Sequence, residues 1–390
     1  MLVMEPILNS FTIILMGLLV SSYFGYPLLI EFIKKSNLSS VQEMSEDCRI
    51  HLLIPCFNED AVIEEKIHNS FLIDYPRSFS VYVIIDKSDD KTFEKASQLQ
   101  EIYPDLVVWN KGYRKGKNDS INFFYKKVRP NSKDIIFLTD ANTFFEKDSF
   151  MHLWREFEAG AHVVGGSMHY VDKMTTSAKS EGVYWRYEEW IRENESKLGR
   201  CITMNGGNMA MLAVDFEELQ AFVPNDFDIP LRLVSNYKTS FAKNSVGREM
   251  AILDSDEELA RKRRMANRQM NAVLLRWGRL DVRTKIQLTL HKIVRWFALF
   301  IVFVIYLLQA VSFMTIGVSW IGLLLFSLAG IVSLALIIEA VKPDAIPGAG
   351  LIAYAVKVHF YSGIGAFQAL VGRKVALWGG ATTNRKTIAP

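Results

Sequence analysis

The chain has 390 residues, half of them hydrophobic, with a mean hydropathy of +0.12 and a net charge of +3 at pH 7. That length accommodates one large domain plus a membrane region, and so balanced a charge gives no electrostatic footprint for nucleic acid. Its three cysteines, Cys48, Cys56 and Cys201, suit reduced thiols rather than a disulfide framework, and no Cys/His cluster has zinc spacing.

In chain order, Ile7–Ile30 comes first: an uncharged apolar run followed by Lys34 and Lys35. A signal peptide would be shorter, begin basic and end at small residues, so residues 1–35 are expected to be an uncleaved membrane anchor. From Cys48 to about Leu253 apolar strands alternate with helical stretches. Strands are expected at Arg49–Ile54, Ser80–Ile85, Leu106–Trp109 and Ile135–Thr139, and helices at Asp60–Asn69, Thr92–Ile102 and Lys117–Lys127. Such alternation implies an α/β domain, residues 48–278, with a mostly parallel sheet.

In a parallel sheet ligands sit beyond the carboxyl ends of the strands. Polar clusters fall at three of those ends: Pro55-Cys56-Phe57-Asn58-Glu59, Asp86-Lys87-Ser88-Asp89-Asp90 and Asp140-Ala141-Asn142. The last ends an apolar strand abruptly, a pattern that presents hard oxygen ligands to a divalent metal, although an Asp-Ala-Asn turn alone would read similarly.

These clusters resemble the signatures of family 2 glycosyltransferases. Ile54-Pro55-Cys56-Phe57-Asn58-Glu59 is similar to the family's opening segment. Asp86-Lys87-Ser88-Asp89-Asp90-Lys91-Thr92 is similar to its Asp-Gly-Ser-Thr-Asp-Gly-Thr turn, with lysine at both glycine positions. Arg114-Lys115-Gly116-Lys117 with Asn122 resembles its Arg-x-Gly-Lys…Asn segment, and Asp140-Ala141-Asn142 stands where it carries Asp-x-Asp.

The resemblance covers roughly residues 49–270. It implies a GT-A domain that binds a UDP-sugar and Mg²⁺ or Mn²⁺. Pro55, Asn58, Glu59, Asp86, Lys117, Asp140, Asn142, Arg264 and Arg268 would bind the donor. Asp86 would accept from a uracil N3–H and Lys117 would contact the nucleotide or its phosphates. Asp140 and Asn142 would hold the metal. Asn142 departs from the commoner second aspartate, so the metal rests mainly on Asp140 and phosphate, or Asn142 touches the sugar.

Transfer with inversion needs one base beside the attacking hydroxyl. In Pro224-Asn225-Asp226-Phe227-Asp228, which resembles the Asp-Asp-Phe form of a membrane subgroup, Asp226 is the expected base. Asp228 is the fallback, and a helix N-cap is the alternative reading of Asp226. Asn205, Gly206 and Gly207 would form a close-approach loop under a sugar. Trp185, in the subgroup-like Tyr184-Trp185-Arg186-Tyr187-Glu188, would contact the acceptor or serve the core. Arg261, Arg264 and Arg268 share a helical face, where the family carries a Gln/Arg-x-x-Arg-Trp motif without this chain's loss of the Trp.

Leu280–Trp296 is amphipathic: Ile286, Leu290, Ile293 and Val294 share a face, with Arg283, Lys285, Lys292 and Arg295 free to reach water or headgroups. Residues 279–296 therefore read as an interfacial helix. Phe297–Ala340 runs 44 residues with Glu339 as its only charge, so residues 297–341 hold two spans with a turn near Gly317–Trp320. Basic residues follow the first span and precede the second, which puts the domain between them in the cytosol, at a bacterial inner or plasma membrane. Residues 348–372 read as interfacial, re-entrant or a third span. In the tail, 373–390, Trp378, Thr382 and Arg385 resemble the gating loop of hyaluronan- and cellulose-type synthases.

The expected activity is hexosyl transfer from a UDP-sugar to a polysaccharide at the bilayer, processive and coupled to export, with room for a homo-oligomer or an export partner. Single transfer to a lipid, of the ceramide glucosyltransferase kind, is the first alternative. A non-catalytic nucleotide-sugar sensor is the second.

Overall fold

The computed structural model describes residues 4–33, 44–171, 176–250, 255–317, 319–342, 345–346 and 348–376. Trp378, Thr382 and Arg385 lie outside them. The N-terminal helix runs as α1 (Met4–Val20) and α2 (Tyr26–Phe32), joined by a wide π turn at Ser21–Gly25. Pro6–Phe32 is apolar and long enough to cross a bilayer.

The α/β domain follows in the expected rhythm: β1 (Ile50–Cys56), α3 (Ile63–Leu72), β2 (Phe79–Ile85), α4 (Thr92–Gln98), β3 (Leu106–Asn110), α5 (Lys117–Val128) and β4 (Ile135–Thr139). Helix α3 begins three residues later than expected, because Val62 and Ile63 first close a turn onto the Glu59 carbonyl. These four strands are parallel, in the order β3-β2-β1-β4. Alternating residues serve opposite faces. Ile50, Leu52 and Ile54 pack with Ile63 and Ile67 of α3, whereas Leu53 packs with Ile121 and Phe124 of α5. Both faces are dry, which is why the strands read as continuous apolar runs.

The second half adds β5 (Phe144–Phe145), α6 (Ser149–Glu158), β6 (Ala161–Val171), α7 (Thr176–Lys197), β7 (Asn208–Leu212), α8 (Asn225–Leu233) and β8 (Lys238–Met250). They extend the sheet to eight strands, β3-β2-β1-β4-β7-β6-β8-β5. β7 is antiparallel to β4 and β6, and β5 to β8, while β6 and β8 are parallel. The sheet is thus mostly parallel, with its antiparallel pairings confined to this half.

Helix α9 (Ser255–Arg276) leads to α10 (Val282–Leu288), a π turn at Thr289–Ile293, and α11 (Val294–Trp296). Here the surface departs from the expected one at Lys292 and Arg295, while Arg283 stays exposed. Ile286 is 55 % exposed, while Lys292 and Arg295 are buried at 8 % and 7 %. The cause is Glu188 on α7, itself buried: it accepts from Lys292 Nζ at 2.7 Å and Arg295 Nη1 at 3.0 Å, with His291 Nε2 at 3.3 Å. A carboxylate removed from water requires counter-charges, and this segment supplies them.

Helices α12 (Ala298–Ile316) and α13 (Trp320–Val341) follow. Gly317, at φ +107°, makes the bend between them, and Ser319 caps α13 by accepting from the Gly322 N–H at 3.0 Å. Ala298–Thr315 and Trp320–Val341 are both apolar and long enough to cross a bilayer. The ambiguous stretch after them is one uninterrupted helix, α14 (Ala349–Leu370), with no re-entrant turn. It packs along α9 at Gly365, where a Cβ would lie 2.0 Å from the Arg263 carbonyl oxygen. Asn267 of α9 donates to the Gly365 carbonyl at 3.2 Å.

Candidate active site

A cavity of about 820 Å³ opens at the carboxyl end of the sheet, between the α/β domain and the helices α1–α2, α9 and α14. Its domain side carries Lys117, Asp140, Asn205, Gly206, Gly207, Asp226 and Glu249. Its far side carries Tyr23, Phe24, Leu351, Tyr354, Val358 and His359. Trp185, Arg192, Arg261, Arg264, Arg268 and Arg295 line it between.

Most of the expected site residues meet there. Lys117, at the first turn of α5, pairs with Asp140 Oδ1 and donates to the Gly206 carbonyl at 2.7 Å. Thus the ends of β4 and α5 are tied to the 205–207 loop. Asn205 accepts from Arg192 Nη1 at 2.7 Å and donates to the Gly166 carbonyl at 2.6 Å, which fixes that loop from both sides. Trp185 lies under two cations, with Arg192 5.4 Å and Lys262 Nζ 5.7 Å from its ring.

Asp226 stands in the first turn of α8, part-exposed at the cavity wall, with its carboxylate beside Gly206. Enclosure raises its pKa above the ordinary aspartate value. Lys117, Arg268 and Arg192 oppose that shift, and Asp140 adds to it. No side-chain cap bond from the preceding Pro224 starts this helix. The fallback aspartate is placed elsewhere: Asp228 is fully buried and bound by Arg276 at 2.8 and 3.1 Å. Its carboxylate is a counter-ion inside the domain, away from the cavity lining.

The arginine face is as expected. Arg261, Arg264 and Arg268 all point into the cavity. Arg268 is held by the Val223 and Ala221 carbonyls at 2.7 and 3.2 Å. Burial, with Arg268 and Arg261 close by, pulls Arg264 down to about 10.

The donor-side cluster is arranged differently. Asp86 accepts from the Lys115 and Gly116 N–H groups at 3.0 and 2.6 Å and from Lys111 Nζ at 2.7 Å. Its carboxylate therefore organises the loop that carries Lys117. Asn58 and Glu59 link the β1 and β2 loops: the Asn58 N–H donates to Ser88 Oγ at 2.9 Å, and the Glu59 N–H to Thr92 Oγ1 at 2.8 Å. Pro55 lies within β1, paired in register with Ile84. Pro55, Asn58, Glu59, Asp86 and Asn142 are not among the residues that line the cavity. Asp86 is one hydrogen bond away from it, through Lys115 and Gly116.

Two groups escaped the sequence reading. Lys66 is wholly buried under the Asp140 turn, donating to the Thr143 carbonyl at 2.5 Å and Thr139 Oγ1 at 3.1 Å. Burial pulls its ammonium down to about 7. Glu249, near the end of β8, accepts from Thr143 Oγ1, and burial together with Asp140 pushes its carboxyl up to about 7. Nothing in the local pattern of either residue signals a site, because each reaches it from an element distant in sequence.

An α/β sheet of this order, with its polar cavity at the carboxyl strand ends, defines a GT-A fold, the fold of nucleotide-sugar transferases. The family described as glycosyltransferase-like family 2 matches residues 48–256, more than half of the chain, and the protein belongs to it. Among solved structures, the mannosyltransferase PcManGT from Pyrobaculum calidifontis, in complex with GDP-Man and Mn²⁺, superposes with a TM-score of 0.61. The match covers 93 % of this chain and 99 % of that one, at 18 % identity, a likeness of fold. No curated protein sequence matches the chain.

Proposed function

We propose that this glycosyltransferase moves a hexose, with inversion, from a nucleotide-diphospho-sugar to an acceptor carried by a lipid in the bilayer. The observation that carries the reading is the two-ended cavity. One end holds Asp226, Lys117 and Asp140, and the other is walled by Tyr23, Phe24, Tyr354 and Val358, from helices at the membrane side. A soluble acceptor has no use for the apolar end, whereas a lipid tail does.

Asp226 takes the proton of an acceptor hydroxyl as that oxygen attacks the anomeric carbon. The bond to the diphosphate oxygen breaks on the opposite side, and the nucleoside diphosphate leaves. Lys117, Arg264 and Arg268 offer cations where negative charge grows on the leaving group. Arg192 and Asn205 hold the 205–207 loop under the sugar.

Asp140, next to Thr143 and Glu249, gives a hard-oxygen set that fits Mg²⁺ or Mn²⁺, and Asp140 would hold the ion. A divalent cation there supplies Lewis-acid stabilisation to the departing diphosphate. The resemblance in the sequence favours UDP, and the solved neighbour carries GDP-Man, so both nucleotides belong in the test.

The experiment is a donor panel of UDP- and GDP-sugars with total membrane lipid as acceptor and product analysis by thin-layer chromatography. The expected outcome is one discrete lipid-soluble labelled product. A ladder or high polymer would replace the lipid acceptor with processive polysaccharide synthesis. No nucleotide release with any donor would leave a nucleotide-sugar sensor.

A further inference from the structure

Gly207 has no side chain, and the space where a Cβ would stand is rimmed by three oxygens. Thr143 Oγ1 lies 2.7 Å from that point, Glu249 Oε1 3.1 Å and Asp140 Oδ2 3.3 Å. The oxygens come from two segments far apart in sequence, Asp140 and Thr143 from the turn after β4 and Glu249 from β8, and the loop before β7 supplies the covering backbone. Lys117 engages the other oxygen of Asp140, Oδ1, so Oδ2 is the one turned to this cradle. Asp140 and Glu249 both line the cavity, whereas Asn142 is not among its lining residues.

We propose that Glu249, and not Asn142, is the protein's second ligand for the divalent cation beside Asp140, with Gly207 kept small because a Cβ there would push Thr143, Glu249 and Asp140 out of place. The chemistry fits on three counts. Two carboxylates and a hydroxyl converging on one gap form the donor set that Mg²⁺ and Mn²⁺ prefer. Two carboxylates enclosed together repel each other, and a divalent ion between them removes that cost. From beneath, Lys66 holds the turn through the Thr143 carbonyl, which sets the positions of Asp140 and Thr143 without reaching the ion.

The proposal rests on the transfer reading only for the ion's purpose. Its test therefore reads binding rather than turnover. Full-length protein in detergent is titrated with Mn²⁺ alone, and free ion is followed by electron paramagnetic resonance. Wild type, Asp140→Asn, Glu249→Gln, Asn142→Ala and Gly207→Ala are compared, with near-ultraviolet circular dichroism as the check on folding.

Loss of a ligand is expected to weaken Mn²⁺ binding by at least about tenfold. That loss should appear in Asp140→Asn, Glu249→Gln and Gly207→Ala, with Asn142→Ala within about twofold of wild type. Glu249→Asp, which keeps the charge, separates ligation from a folding defect by retaining part of the affinity. Wild-type affinity in folded Glu249→Gln, or loss of binding in Asn142→Ala, overturns the proposal. An inactive protein that still shows this pattern would refute the transfer reading and leave the metal site standing.

Discussion

At the scale of the residue, the proposed transfer turns on Asp226 as its base. A base must be ionised to accept a proton, and enclosure raises the pKa of this one, so activity should fall as pH drops through a value above that of an ordinary aspartate. Arg268 lowers that value. Arg268→Gln should therefore move the acid limb of the kcat/KM profile to higher pH, a shift that simple loss of donor affinity would not produce. Asp226→Asn should reduce kcat by about 10²–10⁴-fold while donor affinity, read by calorimetry, stays near wild type. Full activity in that variant would remove Asp226 from the role. Around Asp86 the fold adds partners that its segment does not announce: its carboxylate meets Lys111 and two backbone N–H groups.

At the scale of the element, the segment from α10 to α11 is fixed by its buried charges. Glu188 on α7 binds Lys292 and Arg295, while His291 also meets Glu195 at 2.7 Å. Removing Glu188 as Glu188→Ala leaves cations uncompensated in a dry interior and should cost about 3–5 kcal/mol in denaturant unfolding. Burial pushes Glu188 up, but Lys292, His291 and Arg295 more than offset this and hold it well below the usual carboxylate range. A depressed folded-state pKa contributes stability that is complete above the unfolded value, near 4.5, and is lost as pH falls below it. Glu188→Gln should flatten that acid dependence. An unchanged slope would show that other carboxylates carry it.

At the scale of the whole molecule, the cavity belongs to no single element. The α/β domain supplies the end with Asp226, Lys117 and Asp140, and α1–α2 with α14 the other end; in the proposed function that packing couples the donor site to the lipid acceptor. Lys34, Lys35 and the basic run from Arg261 to Arg295 flank the candidate spans and favour a cytosolic domain. Protease should accordingly cut within residues 48–256 in inside-out vesicles and spare them in right-side-out ones. The reverse pattern would invert the topology. Close packing of α14 on α9 at Gly365 brings α14 against the helix that carries the arginine face, and a larger residue there has no room.

The sequence by itself determined the α/β domain, the helices apolar and long enough to cross a bilayer, and the family. Strand alternation, apolar run length and the rim motifs are local patterns, and local patterns survive without neighbours. It also marked Asp140, Lys117, Asp226 and the arginine face, because their segments are recognisable one at a time. Only the tertiary structure decided that Asp228 is a counter-ion, that Lys292 and Arg295 face inward, and that Lys66 and Glu249 stand beside Asp140. Each of these depends on a partner at least 40 residues away, and burial and charge pairing between such partners exist only once the chain has folded.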